Sequence, residues 1–223
     1  MSDQRRATVS MALGVVGAVA LYGISFGAVS VAAGLDIWQT QVLSLFMFSG
    51  GSQFALVGLI AAGAPGPTAI LAAGLLGVRN GLYSIRTAPI VGRGFWKRLV
   101  AGQWTIDEST AVALAQPTPA LSRLGFWLTG AGIYLGWNAM TLVGALVGDQ
   151  LGDVRSFGLD AAAAAAFLGL LWPRIQSRLP VAIAVVAAVV ATIAIPTLPI
   201  GIPVVIAAAV GVVMYFVQHR GRA

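Results

Sequence analysis

The chain has 223 residues and a net charge of +6, yet only 9% of its residues are charged and 58% are hydrophobic. It contains no cysteine, which excludes disulfides and thiolate metal sites, and its single histidine is His219. The basic residues are scattered between apolar stretches, which indicates topology signals and contact with the lipid bilayer, with no nucleic-acid partner.

About seven apolar stretches approach the roughly 20 residues that a helix needs to cross a bilayer. They lie at residues 9–33, 37–62, 68–92, 124–147, 157–172, 181–195 and 202–217. The sequence therefore predicts an all-α integral membrane protein of about seven transmembrane helices, arranged as one transmembrane domain over residues 1–223.

Basic residues predict the orientation, because cytoplasmic loops carry an excess of lysine and arginine. Seven crossings with an external N-terminus place the cluster Arg93, Lys97 and Arg98 in the cytoplasm. The same arrangement leaves Arg5 and Arg6 outside. The opposite orientation of seven spans inverts this bias and is disfavoured.

Residues 93–121 contain two adjacent acids, Asp107 and Glu108, near their centre. Acids at the middle of a bilayer are costly. The segment is therefore predicted to be an amphipathic or re-entrant linker with its acids on or near the cytoplasmic side. A crossing here would instead give eight spans and an internal N-terminus.

Two short motifs suggest an internal repeat. GISFG at residues 23–27 in the first stretch echoes GIYLG at residues 132–136 in the fourth. Units of three spans would lie in the membrane with opposite topology, as in many transporters whose substrate site is at the repeat interface. The predicted inverted three-helix repeats, with broken helices, are residues 9–92 and 122–198, followed by an extra helix at about 202–218.

The second stretch carries FSGGSQF, which does not suit an uninterrupted membrane helix. Paired glycines weaken a helix interior, and hydrocarbon does not solvate hydroxyl or amide groups. One interpretation is a broken helix that lines a substrate cavity. The alternative is close packing by small residues, with Gln53 as an interhelical hydrogen-bonding group. The candidate binding residues are Ser49, Gly50, Gly51, Ser52 and Gln53.

Other stretches add candidates for the same cavity. These are Gly23, Ser25, Gly27, Arg79, Asn80, Tyr83 and Asn138. Gly23 and Gly27 also form a GxxxG pattern, which has a plain packing explanation. Asn138 beside Trp137 is equally consistent with a pocket wall and with interhelical packing.

An arginine near the middle of a membrane helix costs about 2.5–3.5 kcal/mol on insertion scales, so Arg79 is expected to face a partner or water. It could anchor the carboxylate of a substrate or pair with Asp107 or Glu108. Arg86 is close enough to the helix end to reach the interface. Asp160 opens the fifth stretch, where it could cap a helix or contribute to ion coupling.

The sequence does not predict an enzyme. The serines of the second stretch have no histidine or lysine within the membrane to activate them. No group of histidines and acids has the spacing of metal ligands, so neither a metal nor another cofactor is expected.

FSGGSQF, VRNGLYSIRTAP at residues 78–89 and TIDESTAVAL at residues 105–114 together resemble the AzlC family of bacterial membrane permeases. The resemblance extends over about residues 15–199. It implies a multi-pass secondary transporter of the bacterial plasma membrane that exports branched-chain or other small apolar amino acids. It also implies a small AzlD-type membrane subunit as partner. The exported amino acid is left open among valine, leucine, isoleucine and methionine.

The chain departs from the family pattern at two positions. Many members have asparagine where this chain has Gly77, and many have histidine where it has Asn80. A proton-coupling role for that histidine is therefore not carried over. If transport is coupled to protons, Asp107, Glu108 or Asp160 would have to serve. A membrane subunit that only scaffolds a partner is the alternative function.

Overall fold

A computed structural model describes residues 3–151, 168, 172, 175–200 and 202–220. Within these ranges the helices are α1 (Asp3–Ala32), α2 (Ile37–Phe46), α3 (Gly50–Ala61), α4 (Gly66–Val91), α5 (Phe95–Trp104), α6 (Asp107–Leu114), α7 (Pro119–Leu151), α8 (Arg178–Ala194) and α9 (Ile202–Arg220). No strand occurs in the described ranges, so the prediction of an all-α membrane protein is confirmed.

Among the described residues, three helices are long and apolar enough to cross a membrane: α1, α4 and α7. They coincide with the predicted stretches at 9–33, 68–92 and 124–147. Helices α8 and α9 contain shorter apolar segments and pack against each other, for example through Gly211 and Ile183. Most of the predicted stretch at 157–172, including Asp160, lies outside the described residues.

Helices α1 and α7 pack closely and run in the same direction. A methyl group added to Gly23 would lie 2.8 Å from the carbonyl oxygen of Trp137, and one on Gly27 would meet the backbone of Thr141. From the N-terminal ends onward, further facing pairs are Val16 with Gly132, Ala20 with Gly136 and Ala28 with Gly148.

This packing corrects the proposed repeat. The motifs at residues 23–27 and 132–136 both contribute to the α1–α7 contact, and they lie on parallel helices. Equivalent helices of inverted repeats would instead run in opposite directions. The repeat boundaries 9–92 and 122–198 rested on that equivalence and are not supported, because the similar glycine spacing reflects close packing of two backbones.

Residues 37–62 form a re-entrant hairpin instead of one span. Helix α2 starts where α1 ends, and its side chains contact the middle of α7, where Ser44 Oγ lies 3.4 Å from Thr141 Oγ1. Helix α3 returns, so that Ile60 shares a surface depression with Leu35 at the end of α1. Arms of 10 and 12 residues are too short to cross a bilayer, which explains the turn.

Residues 95–114 form a second hairpin, which enters from the other end of the bundle. Helix α5 ends with Trp104 against Gly130, and a methyl group on that glycine would lie 3.0 Å from Trp104 Cβ. Helix α6 then returns along α7, with Val112 against Gly125. Of the two forms expected for residues 93–121, the geometry is that of a re-entrant segment.

The N-terminus of α1 lies at the same end of the bundle as the α4–α5 and α6–α7 loops. Thr8 Oγ1 is 2.6 Å from Gln116 Oε1, and Arg123 Nε donates to the carbonyl oxygen of Ile90 at 2.9 Å. We call this the basic end, since it carries Arg5, Arg6, Arg93, Lys97, Arg98 and Arg123. The positive-inside rule therefore predicts an internal N-terminus, contrary to the external one expected from seven regular spans.

Helices α1 to α3 and α4 to α6 are two units of opposite direction. Each unit is a long helix followed by a hairpin that re-enters from the side where that helix ends. Helix α4 runs against α1 and α7, because it starts beside the end of α3 and finishes beside Arg123. The two hairpin turns, at residues 47–49 and 105–106, therefore approach each other inside the bundle.

Candidate functional site

A cavity of about 300 Å³ lies where the two hairpin turns meet. It also touches the three long helices near their midpoints, through Val19 and Tyr22 of α1, Arg79 of α4 and Trp137 of α7. The remaining lining residues are Ala18, Phe48, Ser49, Gly50, Gly51, Asn80, Ile106, Asp107, Glu108 and Ile133. A cavity at the middle of the spans, between units of opposite direction, has the position of a transporter substrate site.

Two charged residues that line the cavity, Arg79 and Asp107, form an ion pair. Arg79 Nη1 lies 2.9 Å from Asp107 Oδ2, and the two side chains are 26% and 17% exposed. Both charges are thus largely shielded, and each reduces the cost of burying the other. The prediction that Arg79 faces the interior and meets an acid is confirmed. Asp107 and Glu108 lie at the tip of a hairpin from the basic end, deeper than the cytoplasmic surface that was expected.

The glycine pair begins α3 and does not interrupt it. The break falls at residues 47–49, and Gly50 is the first residue of α3. A methyl group on Gly51 would lie 2.8 Å from Arg79 Nη2, whereas one on Gly50 would lie 3.6 Å from Trp137 Cη2. Glycine at position 51 thus lets the guanidinium group lie directly against the first turn of α3.

The first turns of α3 and α6 both line the cavity, but they differ in charge. The N-cap residue of α3, Ser49, makes no side-chain capping bond, and this turn contains no acid. In α6 the backbone N–H of Ile106 donates to Ser109 Oγ at 3.1 Å, and Asp107 and Glu108 occupy the first turn. Free backbone N–H groups give a helix start a partial positive charge, which only α6 offsets with acids of its own.

An aromatic cluster lies behind the part of the wall that Tyr22 and Trp137 form. The rings of Phe26 and Trp137 are stacked with centroids 5.9 Å apart, and Tyr22 lies 5.3 Å from Phe54. Phe26 and Phe54 are fully buried, so this cluster is a rigid support. The pocket-wall interpretation of Trp137 is therefore supported, although the same ring also packs between helices.

The family comparison covers the whole of this arrangement. The model of the family described as AzlC protein matches residues 14–151, which is more than half of the chain. The chain belongs to the AzlC family. The matched range contains every residue that lines the cavity, and family and apolar helices together indicate a membrane protein with a transport-related role. Neither a curated protein nor a solved structure matches the chain.

Several predicted site residues of this AzlC protein lie away from the cavity. Gln53 is fully buried and its Nε2 donates to the carbonyl oxygen of Ser44 at 3.5 Å, so it joins the two arms of its hairpin. Asn138 donates to the carbonyl oxygen of Tyr134 at 2.7 Å. The residues that do not line the cavity are Gly23, Ser25, Gly27, Ser52, Gln53, Tyr83 and Asn138.

A second, more open cavity of about 310 Å³ lies on the other side of the first hairpin turn. Ser49 and Asn80 line both cavities, and Ser52 lines only this one. The Oγ atoms of both serines and Oδ1 of Asn80 are buried and have no hydrogen-bond partner among the described residues. The turn at residues 47–49 therefore separates two cavities, and its residue Ser49 lines both of them.

Sequence reasoning missed Tyr22, Phe48, Ile106 and Ile133 as lining residues. The apolar character of Phe48, Ile106 and Ile133 does not separate them from lipid-facing residues, so nothing in the sequence marked these three. Tyr22 could have been recognised, since its hydroxyl group is polar within an apolar stretch. No group of three histidines or acids able to hold a metal occurs among the described residues.

Proposed function

We propose that this AzlC protein is a secondary transporter that exports branched-chain or other small apolar amino acids across the bacterial plasma membrane. The observation that carries the proposal is the cavity at the hairpin tips, which combines an apolar wall with the Arg79–Asp107 pair. Such a site suits a small substrate that has charged groups at one end and an aliphatic side chain at the other.

The two hairpins supply a route for alternating access. The α2–α3 hairpin lies between the cavity and the end of the bundle opposite the basic end, and the α5–α6 hairpin lies on the basic side. Movement of one hairpin would open the cavity to one side of the membrane while the other keeps it closed. A subunit that only scaffolds a partner would need neither this cavity nor the ion pair.

An efflux assay tests the proposal. Cells that lack other branched-chain amino acid exporters are loaded with leucine- or valine-containing dipeptides, and release of the free amino acid is measured. Arg79→Ala should abolish export, because it removes the ion pair. Arg86→Ala is the matched control, since this exposed arginine is on the same helix away from the cavity, and it should leave export near the wild-type rate.

Normal export by the Arg79→Ala variant, at equal protein level in the membrane, would contradict the proposed site. Absence of export of every amino acid tested by the wild-type chain, with its partner present, would instead favour the scaffold function.

The proposal includes a small AzlD-type membrane subunit as partner. Its support is family membership, because the face of α1 that carries Gly23 and Gly27 is occupied by α7 and is not free for a partner helix. The alanine run at 161–166 lies outside the described residues. Expression of the chain with and without the small subunit, followed by the dipeptide assay, tests this part. Full dipeptide resistance from the chain alone would refute it.

A further inference from the structure

We propose that the cavity binds its substrate in one orientation, with the carboxylate at the first turn of α3 and the ammonium group at the first turn of α6. This inference rests on the proposed function and adds to it the residues that recognise each end of the amino acid. Trp137 and Ser49 are the residues that it newly assigns to the carboxylate.

The α3 side of the cavity is rich in unused hydrogen-bond donors. The backbone N–H groups of Gly50 and Gly51 lie in the first turn of a helix, where no intrahelical acceptor exists. Ser49 and Trp137 are only 8% and 4% exposed, and Ser49 Oγ and Trp137 Nε1 have no hydrogen-bond partner in the part of the chain that the structure describes. Arg79 Nε is also buried without one.

The position of the indole supports its role. A methyl group on Gly50 would lie 3.9 Å from Trp137 Cζ2. The six-membered ring of the indole therefore lies against the first turn of α3, and Cζ2 is bonded to the ring carbon that carries Nε1. The start of α3, the hydroxyl group of Ser49, the indole of Trp137 and the guanidinium group of Arg79 all belong to residues that line this cavity. A carboxylate is an acceptor that can satisfy several such donors at once.

The α6 side has the opposite character. Asp107 and Glu108 both line the cavity from the first turn of α6, and Asp107 Oδ2 lies 2.9 Å from Arg79 Nη1. An ammonium group donates in three directions and is stabilised by carboxylates. Counting the partial charges of both helix starts, the charges of the site nearly balance, which favours a zwitterion over an ion of either sign.

The remaining wall accounts for the aliphatic part of the substrate. Val19, Ile106 and Ile133 line the cavity together with the ring of Tyr22. An aliphatic side chain placed against them loses contact with water and gains dispersion contacts. The orientation therefore assigns each part of the amino acid to a different wall.

The test uses the full chain, reconstituted in liposomes, and binding of tritiated leucine with three competitors. Unlabelled leucine has both charged groups, isocaproate lacks the ammonium group, and isoamylamine lacks the carboxylate. Trp137→Phe keeps an aromatic ring but removes the indole N–H, and Ser49→Ala removes a hydroxyl group that caps nothing. Trp127→Phe is the matched control, because Trp127 packs against Phe126 away from the cavity.

Trp137→Phe and Ser49→Ala should each weaken leucine and isocaproate about tenfold, which is the effect of losing one hydrogen bond to a charged group. Binding of isoamylamine should stay unchanged in both variants, and the control should change none of the three. Equal weakening of leucine and isoamylamine, or unchanged binding of leucine in both variants, would overturn the orientation while the transport proposal stands. Absence of leucine binding to the wild-type chain would overturn both.

Discussion

The two hairpins have the same shape and opposite chemistry. Helices α2 and α3 meet at a turn followed by two glycines, and the start of α3 has no acid and no side-chain cap. Helices α5 and α6 meet at Thr105–Ile106 and continue into Asp107 and Glu108, with Ser109 accepting the N–H of Ile106. One tip thus offers hydrogen-bond donors to the cavity, and the other offers carboxylates.

This difference explains why the charged residues can lie at the middle of the spans. Arg79 of α4 lies between the tips, against Gly51 on one side and Asp107 on the other. Alone, the guanidinium group would be repelled by the positive start of α3 and would lack a counter-ion. Asp107 at the start of α6 supplies that counter-ion. The charge of Arg79 beside the α2–α3 hairpin is therefore neutralised by an acid of the α5–α6 hairpin.

The largest expected effect comes from removing the acid of the pair. Asp107→Asn leaves the Arg79 guanidinium group at the start of α3 without its carboxylate, and the chain should lose roughly 2–3 kcal/mol of stability together with export. Thermal unfolding in detergent and the dipeptide efflux assay measure both effects.

The double variant Asp107→Asn with Arg79→Gln sharpens this test. Because it removes both charges, it should be more stable than Asp107→Asn alone, while export stays lost. A double variant that loses the full sum of the two single changes would show that the pair is not coupled.

The next largest predicted effect distinguishes Gly51 from Gly50, the two glycines at the start of α3. Gly51→Ala places a methyl group within 2.8 Å of Arg79 Nη2, so the guanidinium group must move and export should fall roughly tenfold. Gly50→Ala is the matched control, because its methyl group would meet Trp137 at 3.6 Å, an ordinary contact distance. Rates of leucine efflux measured at equal expression decide this. Similar losses in both variants would indicate a simple helix effect.

The smallest predicted effect concerns a hydrogen bond that joins the two hairpins directly. Gln103 at the end of α5 donates from Nε2 to the carbonyl oxygen of Leu45 at 2.8 Å, at the end of α2. Gln103→Ala should cost about 1 kcal/mol and make the α2–α3 turn easier to open. Hydrogen exchange of residues 45–49 should become faster, whereas Gln176→Ala, which removes only a local bond to Trp172, should leave it unchanged. Unchanged exchange in both variants would show that Gln103 does not hold the turn.

The long helices could be predicted from sequence, because length and hydropathy determine whether a helix crosses a bilayer. The cost of a buried arginine likewise identified Arg79 as an interior residue. FSGGSQF predicted a break in residues 37–62, and α2 does end at Phe46 before α3 begins at Gly50. The turning back of the chain was missed because residues 37–62 have the length of a span, and whether the chain turns back depends on packing against α7. The useful signal was the length of each arm, since 10 and 12 residues suit a re-entrant segment better than a crossing.

The partners of the polar residues could not be predicted. Gln53 and Asn138 are polar groups within apolar stretches, as Arg79 is, but Gln53 donates to Ser44 of the neighbouring helix α2 and Asn138 donates to Tyr134 of its own helix. The NH2 of an amide can donate to a carbonyl oxygen almost anywhere in a bundle, whereas a guanidinium group requires a carboxylate or water. The charge of Arg79 therefore identified the site, whereas polarity pointed correctly to Ser49 and Asn80 and wrongly to Gln53 and Asn138.

The central claim is that two hairpins enter the membrane from opposite sides, and cysteine labelling tests it most directly. The chain has no cysteine of its own, so single cysteines report without interference. They would replace Asp36 and Ala62, which flank the α2–α3 hairpin, and Arg93 and Ala115, which flank the α5–α6 hairpin. In intact cells, an impermeant thiol reagent should label Asp36→Cys and Ala62→Cys from outside, and Arg93→Cys and Ala115→Cys only after the membrane is opened. Labelling of the two positions of either pair from opposite sides would show that the segment crosses the membrane and would contradict the account.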